Sequence, residues 1–182
     1  VGVVQHERAM ATAYQMAAQK GHTPHRLTVK PGFANLLVWK SIYEHEGYYH
    51  VDGIRVGIDR RYCPGARIAV FNYDRHLPGL AKDSQQARDI ERFRWFSDNY
   101  IASLGIAGDI VDVRYSAVPN EIDPLWGIRV DVDAADTAHA DFVPNRRTSA
   151  RQTQALLSLL RGDNCQPFNG PLNVQSNLPG ES

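Results

Sequence analysis

The sequence predicts an α+β fold, a mainly antiparallel sheet of five or six strands with helices packed on one face. Helical periodicity is confined to three separated segments. Between them, strand-like runs follow one another through short turns, as in an antiparallel sheet. A length of 182 residues with 43% hydrophobic and 22% charged residues is typical of one soluble domain. We expect this domain over residues 1–162 and a weakly structured C-terminal tail over residues 163–182.

Three helices are expected, at residues 5–20, 85–104 and 149–161. Each is followed by a glycine, which is common after a helix C-terminus: Gly21, Gly105 and Gly162. Asp83 or Ser84 can cap the first turn of the middle helix. Its buried face is predicted from residues spaced three or four apart, namely Ile90, Phe93, Ser97, Tyr100, Ile101 and Leu104.

Strands are expected where branched and aromatic residues are dense and turn residues flank them. These segments are residues 26–30, 33–44, 48–58, 66–72, 109–118 and 126–132. The segment 33–44 is rich in aromatic and branched residues, so it is predicted to be buried on both sides. With residues 48–58 it forms a predicted hairpin that turns at residues 45–47. Residues 73–83 and 133–144 are predicted loops.

The charge balance excludes one class of partner. The 20 Lys and Arg residues equal the 20 Asp and Glu residues, whereas a general nucleic-acid binder needs a basic excess. We therefore expect no nucleic-acid partner. The adjacent basic pairs are short, Arg60–Arg61 and Arg146–Arg147. No apolar run approaches the roughly 20 residues of a membrane helix, and no signal peptide is visible.

The cysteines and histidines give little sign of a metal site. Cys63 and Cys165 are not in a CxxC pair, and two free thiols are the favoured interpretation, with a disulfide left open. His45 and His50 flank the predicted hairpin turn and can converge across it. His22 and His25 are three residues apart, but Pro24 between them disfavours the helix that would direct both rings to one metal ion. We interpret the histidines as solvated turn residues and expect no metal or other cofactor in this chain.

The stretch RYSAVPNEIDPLWGIRV, residues 114–130, is the main candidate for a ligand site. On the strand at 109–118, Asp112, Arg114 and Ser116 share one face, and the opposite face is apolar. The apolar face is expected in the core, which would leave Asp112 and Arg114 on the less buried side. Arg94 is expected beside the buried face of its helix, paired with Asp98 four residues on.

We predict a ligand-facing patch at this corner, because the bend is expected to bring its amide and carboxylates near Arg114. Its members are Arg94, Trp95, Asp112, Arg114, Asn120, Asp123 and Trp126. The alternative is that the same side chains hold the connection between the two strands in place by hydrogen bonding to its backbone polar groups. That structural interpretation is favoured, and no catalytic residue is assigned.

Three stretches carry a resemblance to a known family: KPGFANLLVWKSIYEHEGYYHVDGIRVG, RFRWFSDNYIA and DVRYSAVPNEIDPLWGIRV. They resemble the C-terminal soluble part of bacterial inner-membrane-associated metal-dependent hydrolases, over roughly residues 5–161. The resemblance implies membrane helices ahead of this domain, which hold the histidines and aspartates for a divalent metal. The first residue, Val1, agrees with an excised extramembrane domain, and no family catalytic residue maps onto this chain.

The expected function is therefore that of an extramembrane domain of such a hydrolase. It would orient substrate or serve as an accessory domain, with the metal chemistry outside this chain. The alternative is a non-catalytic protein-interaction module at the membrane surface. A deep cleft lined by Arg94 and Arg114 would favour the first, and a large apolar surface the second. Arg8, Lys20 and Arg26 lie near the presumed membrane junction, and positive charges there favour the cytoplasmic side of the inner membrane. The substrate is left open.

Overall fold

The computed structural model describes residues 2–32, 35–105, 108–145 and 148–163. Within these residues the helices are α1 (Gly2–Gln19), α2 (Tyr73–His76), α3 (Gln85–Phe96) and α4 (Ala150–Arg161). The first five strands are β1 (Arg26–Pro31), β2 (Val38–His45), β3 (Tyr48–Val56), β4 (Arg60–Cys63) and β5 (Arg67–Ala69). The later four are β6 (Ile101–Ser103), β7 (Asp109–Asp112), β8 (Trp126–Arg129) and β9 (Asp141–Pro144).

The strands form two antiparallel sheets. Sheet A has five strands in the order β1-β2-β3-β4, with β5 also paired to β3. Sheet B has four strands in the order β6-β7-β8-β9. The predicted α+β class with antiparallel strands is confirmed, although nine strands are divided between two sheets where one sheet of five or six was expected.

The predicted hairpin is the centre of sheet A. β2 and β3 pair in register from Val38 opposite Arg55 to His45 opposite Tyr48. The turn between them places Glu46 and Gly47 at φ 51 and 76, the left-handed backbone that two-residue hairpin turns require. Residues 38–43 are all buried, so the prediction of a strand covered on both faces holds for them. It is wrong for residues 35–37, which precede the strand and include the exposed Leu36 and Leu37.

The two sheets pack face to face, and α1 and α3 cover their outer faces. Apolar side chains from both sheets meet between them: Ile42, Tyr49, Val51, Ile68, Ala102, Val111 and Val113. On the outer face of sheet A, Ala9 and Ala13 of α1 pack against Trp39. On the outer face of sheet B, Ile90 and Phe93 of α3 join the core with residues of β7 and β8. The helices therefore lie on two faces, because each sheet has an apolar outer side to bury.

The middle helix is shorter than predicted. α3 begins after Ser84, whose hydroxyl accepts from the backbone N–H of Ala87 at 3.2 Å, as expected for a cap. It ends at Phe96, because Asp98 and Asn99 take φ 49 and 59 and turn the chain into β6. Asp and Asn tolerate this left-handed backbone better than most residues.

Other boundaries also differ from the predictions. The segments at 109–118 and 126–132 are shorter strands, which end at Asp112 and Arg129. The predicted loops contain α2 and β9, and β4 was not expected. The last helix has the expected bounds, with Ser149 as its cap and Gly162 at φ 81 after it. All but Asp163 of the predicted tail lies outside the described residues.

Candidate functional site

Asp112 and Arg114 form a buried ion pair. The Arg114 Nη2 lies 2.8 Å from Asp112 Oδ2, and Arg114 Nε lies 3.0 and 3.2 Å from the two carboxylate oxygens. Asp112 is 1% exposed and Arg114 9%. The prediction that both lie on the less buried side is therefore wrong. The strand ends at Asp112, and mutual pairing allows both charges to leave water.

The same guanidinium caps a helix. Arg114 Nη2 donates to the carbonyl oxygen of Phe96, the last residue of α3, at 2.8 Å. Trp126 Nε1 donates to Asp112 Oδ2 at 3.3 Å. Burial lowers the pKa of Arg114, but hydrogen bonds and charge from Asp112 outweigh it and hold that pKa above its usual value. Three of the predicted patch residues, Asp112, Arg114 and Trp126, are thus in contact, and together they connect the end of α3 to sheet B.

Asn120 and Asp123 form hydrogen bonds with partners other than Asp112, Arg114 and Trp126. Asn120 Nδ2 donates to the carbonyl oxygen of Pro64 at 3.2 Å, which ties the corner to the end of β4. Asp123 accepts from Asn145 Nδ2 at 2.8 Å and from Gln152 of α4. The structure does not bring these two residues to Arg114 in one ligand-facing patch. Their contacts support the structural interpretation of the corner.

Arg94 and Trp95 lie on the outer part of α3. Arg94 Nη1 donates to Asn99 Oδ1 at 2.8 Å, and Asp98 is instead 3.8 Å from Arg26, so the predicted Arg94–Asp98 pair is wrong. The left-handed backbone at Asp98 turns its side chain away from the helix face. Trp95 is exposed.

Trp95 borders an open surface depression of about 660 Å³. Its other lining residues come from α3 and the chain before it: Tyr73, Lys82, Ala87, Arg88, Glu91 and Arg92. Neither Arg94 nor Arg114 lines it. This depression is not the cleft that would favour a ligand site at the two arginines.

Lys40 is a buried lysine beneath the corner. Its Nζ donates to Ser116 Oγ at 2.8 Å and to the carbonyl oxygen of Glu121 at 2.9 Å. Burial lowers the pKa of Lys40 to about 7, against an opposing effect of nearby carboxylates. Lys40 was not among the residues predicted from the sequence. The signal was the one lysine in segment 33–44, which is predicted to be buried on both faces.

Three histidines cluster at the C-terminal end of α1. His45 and His50 approach across the hairpin turn with ring centroids 6.2 Å apart, as the sequence suggested. His22 lies between them, 4.4 Å from His45 and 4.6 Å from His50, and its Nδ1 is 2.8 Å from the hydroxyl of Tyr43. Burial and the neighbouring cationic groups lower the pKa of His50 to about 4.

This histidine cluster does not fit a metal ion. The rings of His22 and His45 are stacked with their planes 24° apart, so their in-plane lone pairs run side by side and do not converge. Across the described parts of the chain, no group of three or more His, Cys, Asp or Glu side chains is arranged to hold a metal. No chemical step is assigned to a metal in this domain.

Exposed apolar side chains gather at the N-terminal end of α1. Gln5 Nε2 donates to the carbonyl oxygen of Val56 at 2.9 Å, and the Val56 N–H donates to the carbonyl oxygen of Leu37 at 2.7 Å. Arg8 Nη2 donates to the carbonyl oxygen of Gly57 at 2.7 Å. These bonds bring three chain segments together. We name the resulting surface the α1 end, and its exposed apolar residues are Val3, Val4, Leu36, Leu37 and Ile58.

Cys63 is disulfide-bonded, which corrects the interpretation of a free thiol. It is buried at the end of β4 beside Val38, Val118 and Leu159. The sequence has one other cysteine, Cys165, which lies outside the described residues. The sequence spacing gave no means to predict the bond, because it does not report distances in space.

Within the described residues, no helix has both the length and the apolar content to cross a membrane. Comparison of the chain with protein-family models, with curated proteins and with solved structures finds no match.

Proposed function

We propose that this chain is the extramembrane domain of a membrane-bound hydrolase. It rests on the bilayer surface through the α1 end, and it orients substrate or serves as an accessory domain while the metal chemistry takes place outside this chain. The observation that carries the proposal is the gathering of five exposed apolar side chains from three chain segments at one end of the fold. The resemblance of residues 5–161 to such hydrolases supports the same function.

The geometry of α1 suits attachment at this end. The helix has 18 residues and is therefore about 27 Å long. Its alanine face packs on sheet A, while Val3 and Val4 in the first turn remain exposed. Ile58, in the turn between β3 and β4, is fully exposed beside them. Removing such side chains from water releases roughly 1.5–3 kcal/mol for each one fully buried. A bilayer interface supplies that environment.

Two further observations support a proposal for the side of the membrane on which the domain lies. Structural disulfides form and persist in oxidising compartments, so the bonded Cys63 favours the non-cytoplasmic side. The cytoplasmic expectation depended on Arg8, Lys20 and Arg26. Lys20 is 2.8 Å from Asp52, and the Arg26 guanidinium stacks on Tyr100, so two of these charges have partners within the fold. Our proposal therefore places the domain on the oxidising side.

Protease protection tests this orientation. In intact spheroplasts that carry the full-length membrane protein, added protease should digest the domain, because the oxidising side faces the medium. The measurement is immunodetection of the domain, with a cytoplasmic protein as the marker of intact cells. A domain that is protected until the spheroplasts are lysed lies on the cytoplasmic side, and the proposed orientation is then wrong.

Vesicle sedimentation tests the attachment. The purified chain should bind lipid vesicles, and the double change Val4→Ser and Ile58→Ser should lower the partition coefficient by about tenfold or more, because two side chains no longer gain from burial. Phe142→Ser is the matched control, since Phe142 is exposed on β9 of sheet B. An equal loss in the control, or no loss in the double variant, argues against the α1 end. A wild-type chain that binds no vesicles supports the protein-interaction alternative instead.

A further inference from the structure

We infer that the α1 end binds preferentially to bilayers that contain anionic phospholipids, through arginines that surround its apolar residues. This inference rests on the proposed membrane attachment and adds the identity of the lipid partner. Four arginines carry it: Arg8, Arg55, Arg60 and Arg61. Apolar side chains bordered by basic ones are the arrangement by which proteins bind to anionic membrane surfaces.

Arg60 and Arg61 are the most available of the four. They open β4 directly after the turn that exposes Ile58, and they pair in register with Val56 and Arg55 of β3. Both are exposed, and neither guanidinium group forms a hydrogen bond or an ion pair with another described residue. Successive residues of a strand point to opposite sides, so the two guanidinium groups leave the strand on either side of its edge.

Arg8 and Arg55 are held in place by backbone carbonyl groups. Arg8 donates to the carbonyl oxygen of Gly57, and Arg55 Nε donates to the carbonyl oxygen of Leu160 at 3.1 Å. A guanidinium has five N–H donors, so each of these contacts leaves others for a phosphate oxygen. Both side chains are half-buried, so they are already restricted in the free protein. They therefore lose less conformational freedom on binding than fully exposed arginines would.

Acidic residues at the same end reduce the positive charge without cancelling it. Glu7 and Asp59 are exposed near the four arginines. Arg161 and Asp163, at the C-terminal end of α4, contribute one charge of each sign. The formal net charge of the whole chain is +0, so attraction to an anionic surface must come from this local excess. A lipid surface suits the arrangement better than one free anion, because the arginines surround exposed apolar residues.

The test compares two lipid compositions. The probes are vesicles of phosphatidylcholine alone and vesicles that also contain phosphatidylglycerol. Wild-type chain should bind the mixed vesicles more tightly, by about tenfold or more, and added salt should remove the difference. The double change Arg60→Gln and Arg61→Gln should abolish most of this preference and leave binding to phosphatidylcholine unchanged. Arg75→Gln, an exposed arginine on α2, is the control and should retain the preference.

The outcomes separate this inference from the proposal on which it rests. Equal binding of the wild type to both vesicle types overturns the lipid preference and leaves membrane attachment intact. A preference that survives the double change also overturns the inference. No binding to either vesicle type contradicts the attachment itself. If inorganic phosphate releases the chain from mixed vesicles at constant ionic strength, the arginines form a discrete anion site and the surface preference is wrong.

Discussion

Arg114→Ala is expected to lower the free energy of unfolding by about 3–5 kcal/mol. The change leaves the carboxylate of Asp112, 1% exposed, without its cationic partner. It also removes the donor that binds the Phe96 carbonyl group at the end of α3. An isolated buried charge costs far more than a lost surface contact, so a large effect follows from burial and not from the number of bonds. Urea unfolding followed by tryptophan fluorescence measures it.

Two matched variants test whether the loss of the buried ion pair causes this drop in stability. Arg94→Ala removes a half-exposed arginine with partners Glu91 and Asn99, and should change stability by less than about 1 kcal/mol. Replacement of Asp112 by Asn together with Arg114 by Met removes both charges and should recover part of the loss. If Arg114→Ala leaves stability unchanged but abolishes activity of the full-length membrane protein, the ligand-site interpretation is favoured over the structural one.

The second large effect is a dependence of stability on pH caused by Lys40. Its ordinary pKa is 10.5, and burial lowers the pKa in the folded state to about 7. Between these two values the unfolded chain binds more protons at this residue than the folded chain does. The free energy of unfolding should therefore rise with pH, by at most about 1.4 kcal/mol per pH unit. Over the full window the contribution is on the order of 5 kcal/mol, and it is lost as pH falls toward 7.

Lys40→Met should flatten this dependence, because methionine does not titrate. Lys82→Met is the control, since Lys82 is exposed and should leave the slope as in the wild type. Urea midpoints between about pH 7 and 9.5 give the slope without interference from tyrosine ionisation in the unfolded chain. A wild-type midpoint that does not change over that range, or an unchanged slope in Lys40→Met, would show that Lys40 keeps its proton when folded.

Local patterns identified much of the secondary structure. The alanine-rich helix at the start, the hairpin of β2 and β3 and the capped helix α4 are all where the sequence placed them. Each has a signal within a few residues: a helical repeat, a glycine turn, or a serine before and a glycine after the helix. The second sheet was less visible because its strands have three or four residues each, too few for alternation to be clear.

The error at residues 97–104 shows how a repeat can mislead. Tyr100, Ile101 and Leu104 continue the spacing of the α3 apolar face, so the sequence favours one long helix. In the structure Tyr100 and Ala102 join the core between the sheets, while Ile101 packs with α3. Both environments are apolar, and hydrophobic spacing alone does not distinguish them.

The candidate site was the least predictable part. Asp112, Arg114 and Lys40 are polar residues that the sequence analysis placed outward or overlooked, yet all three are buried. Their burial depends on partners that are distant in sequence or on another element, such as Phe96, Trp126 and Ser116. The α1 end likewise forms from three separated segments. Such groupings depend on tertiary contacts, which single-sequence patterns do not contain.

The order of the strands along the chain has a consequence for how the molecule is assembled. Residues 26–69 supply every strand of sheet A, and residues 101–144 supply every described strand of sheet B. A cut in the connection around Pro78 and Gly79 would leave the strand pairs of each sheet within one fragment. The two fragments would be held together by the apolar seam between them, by the bridge from Val70 to Ala102, and by hydrogen bonds such as those from Lys40 to Ser116 and Glu121. The chain is therefore built as two consecutive halves, which tertiary contacts hold together in addition to the backbone connection.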